Sequence, residues 1–227
     1  MSSDAPVRTG KESNKLVNRY TLGEEIFNSV THGIGALLSI VALVILVAYG
    51  SIHGDVWRII SFSIYGATLF VLYTSSTLYH SIFNNKVKQI FRVFDHASIF
   101  LLIAGSYTPI TLLAMRGAWG WTLFALVWSI AIIGIILKAV SLEKANRISL
   151  VLYIMMGWLL VVAIKPMLAM APYGLIIWLI IGGLIYTLGT IFYACKRIPF
   201  NHGIWHLFVL GGSITHFMGI LFYLAIR

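Results

Sequence analysis

Apolar residues run along this chain in seven nearly uninterrupted stretches, at about 29–50, 59–81, 96–115, 118–137, 148–164, 174–194 and 204–226. Each comes close to the ~20 residues that cross ~30 Å of hydrocarbon as a helix. The pattern therefore predicts an all-α fold, a seven-transmembrane helix bundle. Connections are short, and neither an internal repeat nor a low-complexity tract interrupts them. The division expected is a polar tail over 1–28 and one transmembrane domain over 29–226. The fourth stretch lies between Arg116 and Lys138. The fifth is the shortest and is expected to end at Lys165-Pro166, because proline lacks an N–H and breaks a helix.

Composition agrees with a bilayer as solvent. Hydrophobic residues make up 59% of the 227 positions and charged residues 10%, with mean hydropathy +0.92. A soluble domain is nearer half apolar and a quarter charged, and a chain this short keeps much of its surface wet. A soluble enzyme, a nucleic-acid module and a disordered regulator are excluded. The net charge of +9 would suggest nucleic acid in a soluble protein. Here it follows topology. With the N-terminus in the cytoplasm, the inner segments hold Arg8, Lys11, Lys15, Arg19, Lys86, Lys88, Arg92, Lys138, Lys144, Arg147, Lys196 and Arg197. The outer segments hold only Arg58, Arg116, Lys165 and Arg227. That bias predicts a cytoplasmic N-terminus and, after seven spans, an external C-terminus, opposite to the heterotrimeric-G-protein-coupled receptors. The first 28 residues carry no secretory h-region, and Cys195 alone makes neither an internal disulfide nor a thiolate metal site. The expected location is a plasma membrane.

Polar residues at membrane depth are costly, so each is a candidate for function. Glu25, Asn28 and His32 open the first span, Ser76 and His80 close the second, Asp95 and His96 open the third, and His202 and His206 open the seventh. All fall at the cytoplasmic face. Two histidines stand apart: His53 in the first outer loop, and His216, about 15 Å beyond His206 by helical rise. His202 and His206 are i and i+4, so one helix face presents both rings to a single ion. A third nitrogen from His80, at the same depth, would leave one position open, the pattern of catalytic zinc. Imidazole also suits iron, nickel and copper. Plainer roles remain for each residue taken alone: an interfacial histidine pair, a packed His80, an Asp95 that pairs with Arg92 or caps its helix, a solvated Glu25. Trp57, Trp119 and Trp121 fit an outer interfacial belt. Gly182-Gly183 and Gly211-Gly212 suit close helix packing, and Lys138, Lys144 and Arg147 suit contact with anionic lipid.

Four segments carry a family resemblance. Glu25-Ile-Phe-Asn28-Ser-Val-Thr31-His32 resembles the E-x2-N-x3-H motif of the progestin and adipoQ receptor family, and Ser76-Thr-Leu-Tyr-His80 resembles its S-x3-H motif. Asp95 opens a segment like its third-span aspartate region, and His202-Gly-Ile-Trp-His206 resembles its H-x3-H motif. Over roughly residues 20–220 the chain looks most like the bacterial hemolysin III branch. The resemblance implies zinc held by His80, His202 and His206, an aspartate (Asp95) that contacts the metal's water, and a serine (Ser76) beside the site. Glu25, Asn28 and His32 are then expected to support the ligands from outside. His96 and Ala97 depart from the Tyr and Ser of many relatives, and the long N-terminal extension of the animal receptors is missing. The branch implies a bacterial inner membrane.

Alkaline ceramidases, which share scattered Ser, Asp and His residues with this family, suggest a lipid amide as the substrate. The expectation is thus a zinc-dependent hydrolase of a lipid amide or ester, with Asp95 as base, Ser76 at the oxyanion and an acyl chain as the recognised partner. Two alternatives stand beside it. One is a non-enzymatic sensor or regulator of membrane state held together by structural zinc. The other is a cytolytic pore, which the uniformly apolar spans do not favour.

Overall fold

The computed structural model describes residues 20–52 and 55–226, without the side chains of 143–147. His53, Arg8, Lys11, Lys15, Arg19 and Arg227 lie outside the described residues, as do the side chains of Lys144 and Arg147. Eight α-helices are described: α1 (Leu22–Ile52), α2 (Val56–Ser81), α3 (Asn85–Pro109), α4 (Ala118–Val140), α5 (Leu142–Gly157), α6 (Ile164–Met170), α7 (Tyr173–Ala194) and α8 (Asn201–Ile220). α3 and α8 each continue as one π-helical turn, Ile110–Ala114 and Leu221–Ala225. A 3₁₀ turn, Leu159–Ala163, joins α5 to α6. Together they make seven segments long and apolar enough to cross a membrane.

Two spans start earlier than their apolar runs. α1 begins at Leu22 because Thr21 and Glu24 form a capping box. Thr21 Oγ1 accepts from the Glu24 N–H (3.3 Å), and Glu24 Oε2 accepts from the Thr21 N–H (2.8 Å). α3 begins at Asn85 because the Asn84 side chain accepts from the N–H groups of Lys86 (3.1 Å) and Val87 (3.2 Å). Asp95 is therefore three turns inside α3 and does not cap it. Hydropathy hides both starts, since Glu25, Lys86, Lys88 and Arg92 interrupt the apolar pattern while remaining helical. These early turns carry Glu25 and Asn28 on the same helix as His32.

The fifth span also differs from expectation, since it continues through Pro166 to Met170. The backbone breaks upstream, after Gly157, so Pro166 falls in the first turn of α6, where its missing N–H costs nothing. The freed backbone groups meet Tyr107 of α3. Its hydroxyl donates to the Met156 carbonyl (2.7 Å) and accepts from the Leu160 N–H (3.1 Å). Irregular backbone survives at membrane depth only with such a partner.

The helices pack in chain order, α1 on α2, α2 on α3, α3 on α4 and α4 on α5, and α8 closes the bundle against α7 and α1. The third span is the core, with 67% of its apolar window buried against 17% for the fifth. Small residues allow the close approaches. A Cβ on Gly105 would lie 2.0 Å from Thr68 Oγ1, and one on Gly66 would lie 2.6 Å from Leu43 Cδ1. Gly182 and Gly212 do the same between α7 and α8, against His216 and Tyr186. At the end opposite the histidines, Trp57 and Trp121 meet edge to face at 5.6 Å with Arg116 over Trp57.

Candidate metal centre

Four elements converge at the end of the bundle where α1, α3 and α8 begin and α2 ends. His80 sits in the last turn of α2, and His202 and His206 sit on the first two turns of α8. One nitrogen from each lies within 4.8 Å of the others, and all three residues are buried. The two α8 rings are closest, Nε2 to Nε2 at 3.1 Å. Two nitrogens bound to one tetrahedral zinc at ~2.05 Å would lie about 3.3 Å apart.

Second contacts fix which nitrogen of His80 and of His206 is free, while His202 Nδ1 is buried with no hydrogen-bond partner among the described residues. His80 Nδ1 donates to Glu25 Oε2 at 2.6 Å, and the other carboxylate oxygen meets Lys88 Nζ at 2.8 Å. Its Nε2 is then a buried lone pair with no hydrogen-bond partner among the described residues. His206 Nδ1 faces the Asn28 carbonyl at 3.2 Å, so it carries the proton there and Nε2 is bare. A hydrogen bond between the two Nε2 atoms would need the proton on His202. A cation would satisfy all three lone pairs at once. Carboxylate and carbonyl partners on the far ring nitrogens are the usual support for metal-bound histidines. The donor set therefore fits zinc.

The other expected residues surround this trio. Glu25 is the residue that orients His80. Asn28 accepts from His206 Nδ1 through its backbone carbonyl, and its Nδ2 lies 3.4 Å from His80 Nδ1, in contact but not hydrogen-bonded while that nitrogen donates to Glu25. His32 touches neither through nitrogen; its ring stacks on His206 at 3.5 Å between centroids, and both of its nitrogens are buried without partners among the described residues. Ser76 lies one turn before His80, its hydroxyl buried and unpartnered among the described residues. Asp95 lies outside the three-nitrogen group but lines one cavity with His202 and His206. It pairs with His96 (Oδ2 to Nδ1, 3.3 Å) and not with Arg92, although both candidate partners are on its own helix.

Several participants had no separate signal in the sequence. Lys88 holds Glu25, Thr31 Oγ1 stands 3.4 Å from His206 Nδ1, and Tyr20 stacks on His202 at 5.0 Å. Lys88 read as an inner-loop charge, yet it is buried inside α3. Thr31 was within the first motif, and its hydroxyl also donates to the Phe27 carbonyl (2.9 Å), as helical threonines do. Gly203 is required beside the site, since a Cβ there would lie 2.1 Å from Phe27 Cδ1 and 2.8 Å from Asn28 Oδ1. Replacing Glu25 by Gln should lower zinc affinity about 10–100-fold by loosening His80. Competition against a chelating dye measures this, and an unchanged affinity would detach Glu25 from the metal.

From His202 and His206 a narrow cavity of about 120 Å³ runs down the bundle, walled mainly by α3, α5, α7 and α8. It spans His202 to His216, about 21 Å of helical rise. A second void of about 70 Å³ shares Ser106, Tyr107, Trp158 and His216 with it and continues towards the opposite end.

The sequence relatives agree with this architecture. Residues 20–217 match the family described as Haemolysin-III related. The chain is 49% identical to hemolysin-3 of Bacillus cereus over 201 residues, covering 88% of this chain and 91% of that protein. It is 47% identical to the hemolysin-3 homolog of Bacillus subtilis over 204 residues, covering 90% and 96%. The human monocyte to macrophage differentiation factor is 32% identical over 213 residues, covering 90% and 86%. Seven spans and these bacterial relatives support a multi-pass protein of the bacterial inner membrane. The chain belongs to the haemolysin-III-related family of integral membrane proteins.

Proposed function

We propose that the protein is a zinc-dependent hydrolase acting on an amide or ester of a membrane lipid, with its site at the cytoplasmic face. The observation that carries this is the convergence of three buried imidazoles, one with its Nε2 left bare by Glu25, two of which (His202 and His206) also line the head of a narrow apolar cavity. Zinc on His80, His202 and His206 would polarise a carbonyl and lower the pKa of a water to ~7. Asp95, on the cavity wall with His202 and His206, would accept a proton as general base. The unpartnered Ser76 hydroxyl is free to donate to the carbonyl oxygen as charge develops on it. Glu25 and the Asn28 carbonyl keep the rings in register, which spares the site reorganisation during reaction. An acyl chain suits the cavity because the wall is largely aliphatic and aromatic. α5 barely meets α7, so that flank gives a chain a path in from the bilayer.

The test is release of free fatty acid from a panel of ceramides, N-acyl amino lipids and acyl esters, read by mass spectrometry on detergent-purified protein. Turnover should stop on chelation and return with zinc. A panel with no zinc-dependent product sinks the hydrolase. One observation favours a second reading, a regulator with structural zinc: α2 and α8 have little backbone contact of their own, so a metal between His80 and the α8 pair would pin them. Under that reading chelation destabilises the bundle and no lipid is consumed. The relatives' hemolysin names raise cytolysis as a third, which the uniformly apolar spans disfavour.

A further inference from the structure

In the middle of the cavity one side-chain nitrogen has no hydrogen-bond partner among the described residues. The cavity's other polar side chains at that depth are committed to the protein. Ser106 Oγ donates to the Ile103 carbonyl at 2.9 Å. Thr187 Oγ1 donates to the Gly183 carbonyl at 2.7 Å and accepts from Trp158 Nε1 at 2.9 Å. The Tyr186 hydroxyl pairs with Ser213 Oγ at 2.8 Å, and Ser213 also accepts from Tyr73 at 2.7 Å. His216 differs. Its Nε2 lies 3.2 Å from the Leu179 carbonyl, an acceptor only, so the proton is on Nε2 and Nδ1 keeps a lone pair. That Nδ1 has no hydrogen-bond partner among the described residues, and His216 lines both voids.

The ring is also held in place. Its Cδ2 would lie 2.2 Å from a Cβ on Gly182, and the Tyr186 ring beside it fills the notch left by Gly212. The two rings lie 5.4 Å apart. An imidazole kept rigid at mid-membrane depth, with a bare acceptor at an apolar cavity, is costly unless a ligand or a water supplies a donor.

We propose that His216 is a specificity-determining residue that accepts a hydrogen bond from a hydroxyl carried in the middle of the ligand's acyl chain. The substrate class is a lipid with a hydroxylated chain, the hydroxyl about 15 Å from the reacting end by the rise from His206 to His216. The proposal rests on the hydrolase reading for the chain's place in the cavity. It needs binding only, so a protein that binds without turnover still tests it.

The experiment is displacement of radiolabelled octadecanoic acid from detergent-purified, metal-loaded protein by 12-hydroxyoctadecanoic acid and by octadecanoic acid itself. The wild type should favour the hydroxylated acid about fivefold, the effect of one net hydrogen bond. His216→Phe should lose the preference, binding the two acids alike. Binding of the plain acid also reports that this variant is folded. His216→Gln, which keeps an acceptor and a donor, should recover part of the preference. Equal affinities in the wild type, a preference that survives in His216→Phe, or no displaceable binding of either acid would overturn the proposal. In the first two cases the hydrolase reading stands, because His216 would be serving helix packing or holding a water.

Discussion

One zinc per chain is the expected result when the protein is purified in detergent without chelator, and His202→Ala should remove it. The same holds for His80→Ala and His206→Ala, because each contributes one of three nitrogens. Loss of a residue that merely supports a ligand lowers affinity about 10–100-fold, so loss of a ligand should exceed ~100-fold. Metal content by mass spectrometry reads this directly. Stability should follow, since a ligand bound only by the folded state adds its binding free energy. At a thousandfold excess over the dissociation constant that is ~4 kcal/mol. For a chain of this size it corresponds to a fall in Tm on the order of 10 °C on chelation. Well-folded wild type with no zinc would sink both the hydrolase and the structural-zinc reading. Zinc retained by His80→Ala at full affinity would reduce the site to the α8 pair.

Asp95→Asn should keep zinc and lose turnover by about 10²–10⁴-fold, the usual contribution of a general base. The side chains have nearly the same shape, and the carboxylate stands outside the group of three nitrogens, so metal content and Tm should change little. The fall should appear in kcat, because the proton is taken only as the reaction proceeds. Measured on whichever lipid amide or ester the wild type cleaves, an unchanged kcat would remove Asp95 from the chemistry. A loss of zinc in Asp95→Asn would make it a ligand instead. Zinc retained, Tm dependent on zinc and no substrate cleaved by the wild type would together leave the regulator reading.

Much of this site is written in local spacing. An i,i+4 histidine pair on a helix shares a face whatever the rest of the fold does, and His80 falls at the same depth because α2 has the length of the bilayer. Hydropathy finds the seven spans for the same reason: twenty apolar residues have few other places to go. Its failures are equally physical. α1 and α3 start earlier than their apolar runs because capping by Thr21 and Asn84 sets a helix end, while Glu25 and Lys88 neutralise one another at 2.8 Å. The capping box Thr21-Leu-Gly-Glu24 was visible in the sequence and would have placed Glu25 inside α1. Pro166 read as a stop because its clash is local. What absorbs it is a break eight residues upstream, patched by Tyr107 from another helix.

The sequence alone therefore determined the spans, the segregation of most histidines to one end and the histidine pair that shares a helix face, since each depends on period, length and depth. Only the tertiary structure decided which nitrogen of His80 and of His206 is bare, that Asp95 faces the cavity with His96 as its partner, that His32 stacks on His206, and that His216 keeps an open acceptor. Those features are set by atoms from helices far apart in sequence. A ring's tautomer follows its neighbour across the bundle, and no spacing within one helix records it.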